Sequence, residues 1–314
     1  MTRLSGLIHR IARGKHGHQH LTIEEAQEAF SALLKPDADV LQLGAFLIAQ
    51  RMKGETAAEL AGFVRAARRR IVSYGEVHAP AGAVDLPCYA GKRRAAHLHL
   101  VAAIRASQLG IPVVVHGLSP VEGRITAQDV LCNVGVKQAQ TIQDAQQILK
   151  DENIVYLDVE VISPEVFQLL NLRERLGVRS CANSVARLLN PMNCDGQLNG
   201  LFHTPYAALM AETNVLLEQK RSLIFMGAEG EPELYADRQK LLLAQDGSST
   251  RSLTYSSANE EPYPREVQGD VSQIQGQFER ILSGNLSGRE QVTLGRMLEA
   301  FNYAHCGNRP ATWC

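Results

Sequence analysis

Three adjacent cations and a tyrosine follow the first short apolar run of the chain's second part, and their spacing suits an anion. Lys92, Arg93 and Arg94 come directly after the sequence Tyr89-Ala90-Gly91. A basic turn between a strand and a helix can engage a polyanion, because the helix N-terminus adds partial positive charge. Tyr89 offers a ring on which a nucleic-acid base can stack. These residues predict a phosphate-binding turn.

Further cations are concentrated in the first third of the chain, although the net charge of all 314 residues is -1. Residues 51–105 contain ten Lys and Arg against four Asp and Glu, and residues 1–20 contain four cations and no acid. This asymmetry favours an anionic partner. Arg68, Arg69 and Arg70 also end a predicted helix, so a solvated helix terminus remains an alternative for them. The cations expected to join the basic turn are Arg13, Lys15, Arg68, Arg69 and Arg70.

The spacing of histidines and cysteines does not predict a metal centre. His16, His18 and His20 lack carboxylate or thiolate neighbours at ligand spacing, and His97 and His99 are two apart on a predicted helix, so they do not share a face. The six cysteines show no C-x-x-C spacing, which favours reduced thiols in a cytoplasm. No apolar stretch reaches the ~18 residues of a membrane span. We therefore expect a cytoplasmic protein with no metal and no membrane partner.

The elements that position these residues begin with helices. Apolar residues recur at three- and four-residue spacing through the first seventy positions, which predicts four amphipathic helices. Thr22 and Glu25 form a plausible capping box for the second helix. The third is predicted from Val40 to Lys53, and the fourth from Thr56 to Ile71.

After Pro80 the pattern changes to short apolar runs alternating with helical stretches, which predicts parallel strands joined by helices. The predicted strands are Val84 to Pro87, Ile111 to Val115, Ile154 to Val159 and Ser222 to Met226. We therefore predict an α/β protein with an N-terminal helical domain and a larger α/β domain that has a central, mostly parallel sheet. The predicted division is 1–73 for the helical domain, with 163–190 packing on it, and 80–162 with 191–314 for the α/β domain.

Three segments, taken in order, resemble the anthranilate phosphoribosyltransferase family of glycosyltransferase family 3, which shares the fold of the class II nucleoside phosphorylases. Residues 45–70 contain R-M-K-G-E-T. Residues 84–117 run from a strand through a loop and a helix to a second strand ending in His-Gly. Residues 176–191 fit L-G-x-R-x-x-x-N-x-x-x-x-x-x-N-P. The resemblance covers most of the chain and implies a cleft between the two domains and a homodimer formed through the helical domains.

The resemblance also implies a phosphoribosyl pyrophosphate site, from which this chain departs. The transferases carry G-T-G-G-D-G after the first strand, and its glycines let backbone amides approach the pyrophosphate. Here positions 88–93 are C-Y-A-G-K-R, so only Gly91 is kept. The family's K-H-G-N becomes V-H-G-L, which keeps His116 and Gly117. The paired magnesium acids fall at Pro232 and Glu233, so neither magnesium nor another cofactor is expected.

Two further family positions are kept. Arg173 falls where the family places an arginine for its aromatic acid substrate, with a helix-surface ion pair as the alternative. Asn183 retains the family asparagine, although Ala186 and Arg187 replace the Gly-Pro that follows. The residual family cleft therefore comprises Gly91, His116, Gly117, Arg173, Asn183 and Glu233.

A bacterial branch of this family resembles the chain in a P-x-Y-x-G-x-[KR] loop and binds DNA and RNA without sequence preference. Together with the basic turn, this resemblance predicts a homodimeric, sequence-nonspecific nucleic-acid-binding protein on a non-catalytic transferase scaffold. The alternative is a phosphoribosyltransferase-like enzyme with a remodelled pyrophosphate site and an aromatic or nucleobase-like acceptor. A third class is a non-catalytic protein that binds a partner through its dimer surface.

Overall fold

The computed structural model describes residues 3–14, 16–255, 262–266 and 270–313. Four helices open the chain, as the apolar spacing predicts. The capping box of Thr22 and Glu25 is confirmed, and Thr56 with Glu59 forms a second one. Stacked Phe30 and Phe63, with ring centroids 5.0 Å apart, join the second helix to the fourth. The four helices are α1 (Arg3–Ile11), α2 (Ile23–Leu33), α3 (Val40–Lys53) and α4 (Ala57–Arg68).

Seven strands form one mixed sheet in the described part of the chain. They are β1 (Val84–Cys88), β2 (Val113–Gly117), β3 (Ile154–Asp158), β4 (Gly196–Leu201), β5 (Arg221–Met226), β6 (Lys240–Asp246) and β7 (Ser249–Tyr255). The spatial order is β3-β2-β1-β4-β5-β6-β7. The five strands from β3 to β5 are parallel, and β6 and β7 add an antiparallel edge. The mostly parallel sheet is therefore confirmed, and β4, β6 and β7 are strands that the apolar pattern did not predict.

The remaining helices cover both faces of the sheet, which has a separate apolar core on each face. They are α5 (Leu98–Gln108), α6 (Ala127–Asn133), α7 (Ile142–Glu152), α8 (Val159–Ile162), α9 (Pro164–Asn171), α10 (Arg173–Leu176), α11 (Ala182–Arg187), α12 (Pro205–Leu216), α13 (Val271–Leu282) and α14 (Gly288–Cys306). Helices α5, α13 and α14 share one core with alternate residues of β1. The N-terminal helices share the other core with α9, α11 and α12. Within the described ranges, no helix has the length and apolarity needed to cross a bilayer.

The strand order creates one reversal of direction beside β1. After β1 the chain adds β2 and β3 on one side and then returns to place β4 on the other. Ligands of open α/β sheets bind at the carboxyl ends of the strands where this reversal occurs, because the flanking loops diverge and leave a crevice. The candidate site is therefore expected between the loops that follow β1 and β4.

Candidate functional site

Backbone amides of the segment after β1, residues 89–94, here called the β1 loop, are bound by a carboxylate from the same chain. Oε1 of Glu231 accepts hydrogen bonds from the amides of Ala90, at 2.7 Å, and Gly91. Gly91 has a φ of +63°, and a Cβ there would lie 3.0 Å from the carbonyl oxygen of Ile125, so glycine is required. A pair of convergent amides is a ready anion site. Here a glutamate fills it.

A second carboxylate holds the end of the β1 loop. The Glu229 carboxylate accepts from the amides of Arg93, at 3.2 Å, and Arg94, at 3.0 Å, and from the Tyr263 hydroxyl at 2.7 Å. The Arg93 side chain is exposed and that of Arg94 is half-buried. Their guanidinium groups therefore lie at or near the surface, and their contact with an external anion remains a prediction.

Lys92 does not face solvent, which corrects its assignment to the phosphate-binding surface. Its side chain is fully buried, with Nζ 2.6 Å from Oε1 of Glu233 and 2.7 Å from the carbonyl oxygen of Ala96. Burial opposes ionisation of Glu233, but the Lys92 charge and the hydrogen bond from His99 together lower its pKa to about 2. Because both charges are satisfied internally, Lys92 holds the loop in place and Glu233 does not face an open magnesium site.

Tyr89 is also buried, so the expectation that it stacks on a base is wrong for this arrangement. Its hydroxyl lies 2.8 Å from Nδ1 of His116, and burial raises the pKa of the phenol well above its usual value. Nε2 of His116 lies 3.1 Å from Oδ1 of Asp85 without the alignment of a hydrogen bond. Oδ2 of Asp85 accepts from Gln197 on β4 at 2.8 Å. His116 therefore lies within a buried polar network beneath the crevice.

The other predicted cleft residues occupy different surroundings. Gly117 is required by strand packing, since a Cβ there would lie 2.2 Å from the carbonyl oxygen of Cys88. Asn183 lines a cavity between the domains, and its side-chain oxygen accepts from the Ser180 amide at 3.3 Å. Arg173 is exposed on α10, and its charge acts on the neighbouring Arg179.

The N-terminal cations do not form one uniform surface. Arg13 and Arg69 are exposed and Arg70 is half-exposed, whereas Lys15 lies outside the described residues. Arg68 donates to the carbonyl oxygens of Leu188 and Leu189, both at 2.9 Å. Arg68 therefore joins α4 to the segment after α11, which corrects its assignment to the nucleic-acid surface.

A second group of cations lines the cleft between the helical and α/β domains. Arg51 from α3 and Arg179 and Arg187 from around α11 border a cavity of about 240 Å³ that reaches the end of β4. Arg187 donates to the carbonyl oxygens of Asn183, at 3.1 Å, and Gly230, at 3.3 Å. Within the described ranges, neither Arg51 nor Arg179 has a hydrogen bond or ion pair. We call these three side chains the cleft arginines.

The electrostatics of this cavity favour an anionic ligand. Burial lowers the pKa of Arg179, and the charges of Arg173 and Arg187 lower it further. Burial also disfavours the charged form of Glu55, whose carboxyl group lines the same cavity, and so raises its pKa. Clustered cations repel one another, so a bound anion relieves a cost that the free cleft carries.

Aromatic side chains form another wall of the same cavity. Phe202 is 59% exposed directly after β4, and its ring packs edge-on against His203 with centroids 4.8 Å apart. Tyr206, from the first turn of α12, lines the cavity beside it. A flat ring bound here would meet aromatic faces next to cationic groups.

Sequence reasoning did not identify Glu229, Glu231 or the cleft arginines as parts of a site. The only available signal for the glutamates is their alternation in E-G-E-P-E, residues 229–233, here called the acidic loop. Its charge is opposite to that of the β1 loop about 140 residues earlier. Arg51 and Arg179 lay within the motifs that carried the family resemblance, but no motif indicated that both face one cavity.

Comparison with known protein families divides the chain as the structure does. Residues 5–71 match the model described as "Glycosyl transferase family, helical bundle domain". Residues 83–292 match the model described as "Glycosyl transferase family, a/b domain". Together these matches include most of α1, all of α2–α4 and the whole sheet.

Individual relatives agree with this assignment. "Uncharacterized protein YbiB" of Escherichia coli (strain K12) is 31% identical over 240 residues, which are 74% of this chain and 73% of the relative. An anthranilate phosphoribosyltransferase of Methylobacterium nodulans is 31% identical over 239 residues, 74% of this chain and 69% of that enzyme. The crystal structure of anthranilate phosphoribosyltransferase from Thermus thermophilus shares the fold, with a TM-score of 0.79, 23% identity and coverage of 98% of this chain and 90% of that one. The chain therefore belongs to the glycosyl transferase family that joins a helical bundle domain to an α/β domain, and it has an anthranilate phosphoribosyltransferase-like fold.

Proposed function

We propose that this chain binds a phosphoribosyl diphosphate in the cleft and transfers the phosphoribosyl group to an aromatic or nucleobase-like acceptor with release of the diphosphate, or catalyses the reverse cleavage. The observation that carries the proposal is the convergence of Arg51, Arg179 and Arg187 on one cavity at the carboxyl ends of the strands. Guanidinium groups bind phosphate through paired, charge-assisted hydrogen bonds. The relatives that are named anthranilate phosphoribosyltransferase support the reaction class.

The position of the diphosphate would differ from the amide site of the β1 loop. The Ala90 and Gly91 amides already bind Glu231, so a diphosphate would have to displace a carboxylate to use them. Within the described ranges, Arg51 and Arg179 offer guanidinium donors without that competition. The proposed anion site is therefore formed by arginine side chains across the cleft and not by the backbone amides of the β1 loop.

The same cavity provides groups suited to the acceptor. Phe202 and Tyr206 present aromatic surface to a flat ring. The raised pKa of Glu55 keeps a proton on this carboxyl group to a higher pH than usual. A carboxyl group of this kind can exchange a proton with an acceptor or a leaving group. We assign Glu55 the role of general acid or base in the proposed reaction.

Calorimetric titration with phosphoribosyl pyrophosphate, with and without magnesium, tests this function. We expect the native chain to bind, and Arg179→Gln to weaken binding about tenfold or more, because a charged hydrogen bond contributes about 1.5–3 kcal/mol. Arg175→Gln removes an exposed charge on neighbouring α10 that does not line the cavity, so it should bind like the native chain. Absence of binding by the native chain, or equal losses in both variants, would refute the proposal.

Nucleic-acid binding is the second candidate, and the surface position of several predicted cations favours it. Arg13, Arg69 and Arg93 are exposed, and Arg70 and Arg94 are half-exposed. Cations held at a surface can neutralise phosphates along a strand and release counterions. This candidate uses the outside of the molecule, so it does not require the cleft to be empty.

Fluorescence polarisation with single- and double-stranded oligonucleotides tests the second candidate. Affinity should fall steeply with salt, and Arg93→Gln with Arg94→Gln should reduce the slope of log affinity against log salt by about one unit per lost contact. Arg251→Gln with Arg265→Gln, which removes two exposed charges from other parts of the chain, should leave the slope unchanged. No binding at low salt, or tight binding that salt does not change, would exclude this candidate.

A further inference from the structure

Three side chains with metal-binding chemistry meet beneath the β1 loop. They are Cys88, the last residue of β1, His99, in the first turn of α5, and Glu231, in the acidic loop. One ligand atom from each, the Cys88 sulfur, a His99 ring nitrogen and a Glu231 carboxylate oxygen, lie within 4.8 Å of one another. All three residues are buried. They come from three separate elements, so the cluster exists only in the folded chain.

Two of these buried groups have an atom without a hydrogen-bond partner in the described part of the chain. They are Nε2 of His99 and Oε2 of Glu231, on residues that are 0% and 1% exposed. The Cys88 thiol has two weak partners, the carbonyl oxygen of Leu86 at 3.6 Å and the Glu231 carboxylate. A buried polar atom without a partner costs about 1–3 kcal/mol, so two beside one thiol require a cause. A metal ion between them would satisfy both.

The other atoms of the same side chains are fixed in the way that a metal site needs. Nδ1 of His99 lies 3.1 Å from Oε2 of Glu233, which directs the ring proton to Nδ1 and leaves the lone pair on Nε2. Metal-binding histidines usually make such a bond from their second nitrogen. Lys92 keeps Glu233 charged, and the β1-loop amides hold Oε1 of Glu231. The buried pair of Lys92 and Glu233 therefore orients the His99 ring in addition to stabilising the fold.

The donor set selects the kind of ion. Magnesium prefers oxygen ligands, whereas thiolate and imidazole suit zinc and similar transition ions. Binding replaces the thiol proton of Cys88 with the metal and releases that proton to solvent. One thiolate and one carboxylate then neutralise a divalent ion, which is favourable in a buried site. We propose that Cys88, His99 and Glu231 bind one Zn²⁺ ion.

Metal titration of the full chain tests this site. After chelation and dialysis, the native chain should bind one equivalent of Zn²⁺ by calorimetry and elemental analysis, and Co²⁺ should give a thiolate-to-cobalt charge-transfer band. Cys88→Ser and Glu231→Gln should each weaken Zn²⁺ binding at least tenfold, and Cys88→Ser should abolish the band. Glu229→Gln, on the same loop and also bound to β1-loop amides, should bind Zn²⁺ like the native chain, as should Cys132→Ser.

Other results would overturn the proposed Zn²⁺ site. No Zn²⁺ bound by the native chain, or Co²⁺ bound without a thiolate band, would overturn the proposal even if Cys88→Ser fails to fold. Zn²⁺ binding that persists in Glu231→Gln but is lost when His16, His18 and His20 are replaced by alanine would assign the ion to these N-terminal histidines instead. The outcome does not depend on the proposed ribosyl transfer, since no nucleotide or phosphate is added.

Discussion

At the scale of single residues, one cation of the basic segment, Lys92, is buried in the protein interior. Lys92 lies among Glu233, the Ala96 carbonyl oxygen and the Tyr263 ring, and no part of its side chain reaches solvent. A run of adjacent cations therefore does not form one surface: Lys92 supports the loop, while Arg93 and Arg94 lie toward the outside. The sequence predicted the basic turn, but it could not predict that division of roles.

Removal of the Lys92 ammonium group should strongly destabilise the fold. Lys92→Met would leave the Glu233 carboxylate buried without its charged partner, which typically costs about 3–5 kcal/mol. Lys137→Met is a suitable control, because Lys137 pairs with Glu152 on the surface with 60% of its side chain exposed, and such pairs contribute about 0–1 kcal/mol. Urea denaturation measures both variants, and losses of equal size would contradict the assigned role of Lys92.

The same ion pair predicts a specific sensitivity to acid. The pKa of Glu233 is lowered from 4.5 to about 2 in the folded chain, so its contribution to stability is complete above about pH 5 and is lost as the pH falls toward 2. The double variant Lys92→Met with Glu233→Gln lacks this ion pair and should lose less stability over that interval. Denaturation in chelator across this pH range measures the difference, and parallel pH profiles would contradict the assignment.

At the scale of elements, the helices and the parallel core strands could be predicted, but β4 could not. The sequence of β4 is G-Q-L-N-G-L, which lacks β-branched residues. It is a strand because it pairs with β1 and β5, and its glycines are required by close neighbours: a Cβ on Gly196 would lie 2.2 Å from the Ala304 carbonyl oxygen, and one on Gly200 would lie 2.5 Å from the Glu231 backbone. Those contacts involve residues far along the chain, so the local strand propensity does not predict them.

Helix α3 carries an exposed apolar stripe that suits the predicted homodimer. Leu41 and Met52 are 83% and 81% exposed, and Val40 and Ile48 are 62% and 37% exposed. Because such side chains seldom cluster on a free surface, we propose a second copy of the chain as the occupant. Leu41→Glu with Met52→Glu should produce a monomer in light scattering, whereas Leu109→Glu, which alters an exposed leucine after α5, should not. A native chain that is already monomeric would contradict the proposal.

At the scale of the whole molecule, the chain has the family fold, and a carboxylate of the same chain binds the amides of the β1 loop at the switch point. The resemblance predicted the two domains and the cleft between them, because these follow from long motifs. It could not predict what fills the β1 loop, since the acidic loop lies about 140 residues away and contacts it only after the sheet has assembled. Glu231 occupies the Ala90 and Gly91 amides, at the positions where a G-T-G-G-D-G loop would offer amides to pyrophosphate.

Hydrogen exchange at the Ala90 and Gly91 amides measures whether Glu231 occupies them. We expect both amides to be protected without any ligand, added phosphoribosyl pyrophosphate and magnesium to leave their exchange unchanged, and Glu231→Ala to make it faster. Fast exchange in the free native chain, followed by protection only when phosphoribosyl pyrophosphate and magnesium are added, would contradict this expectation.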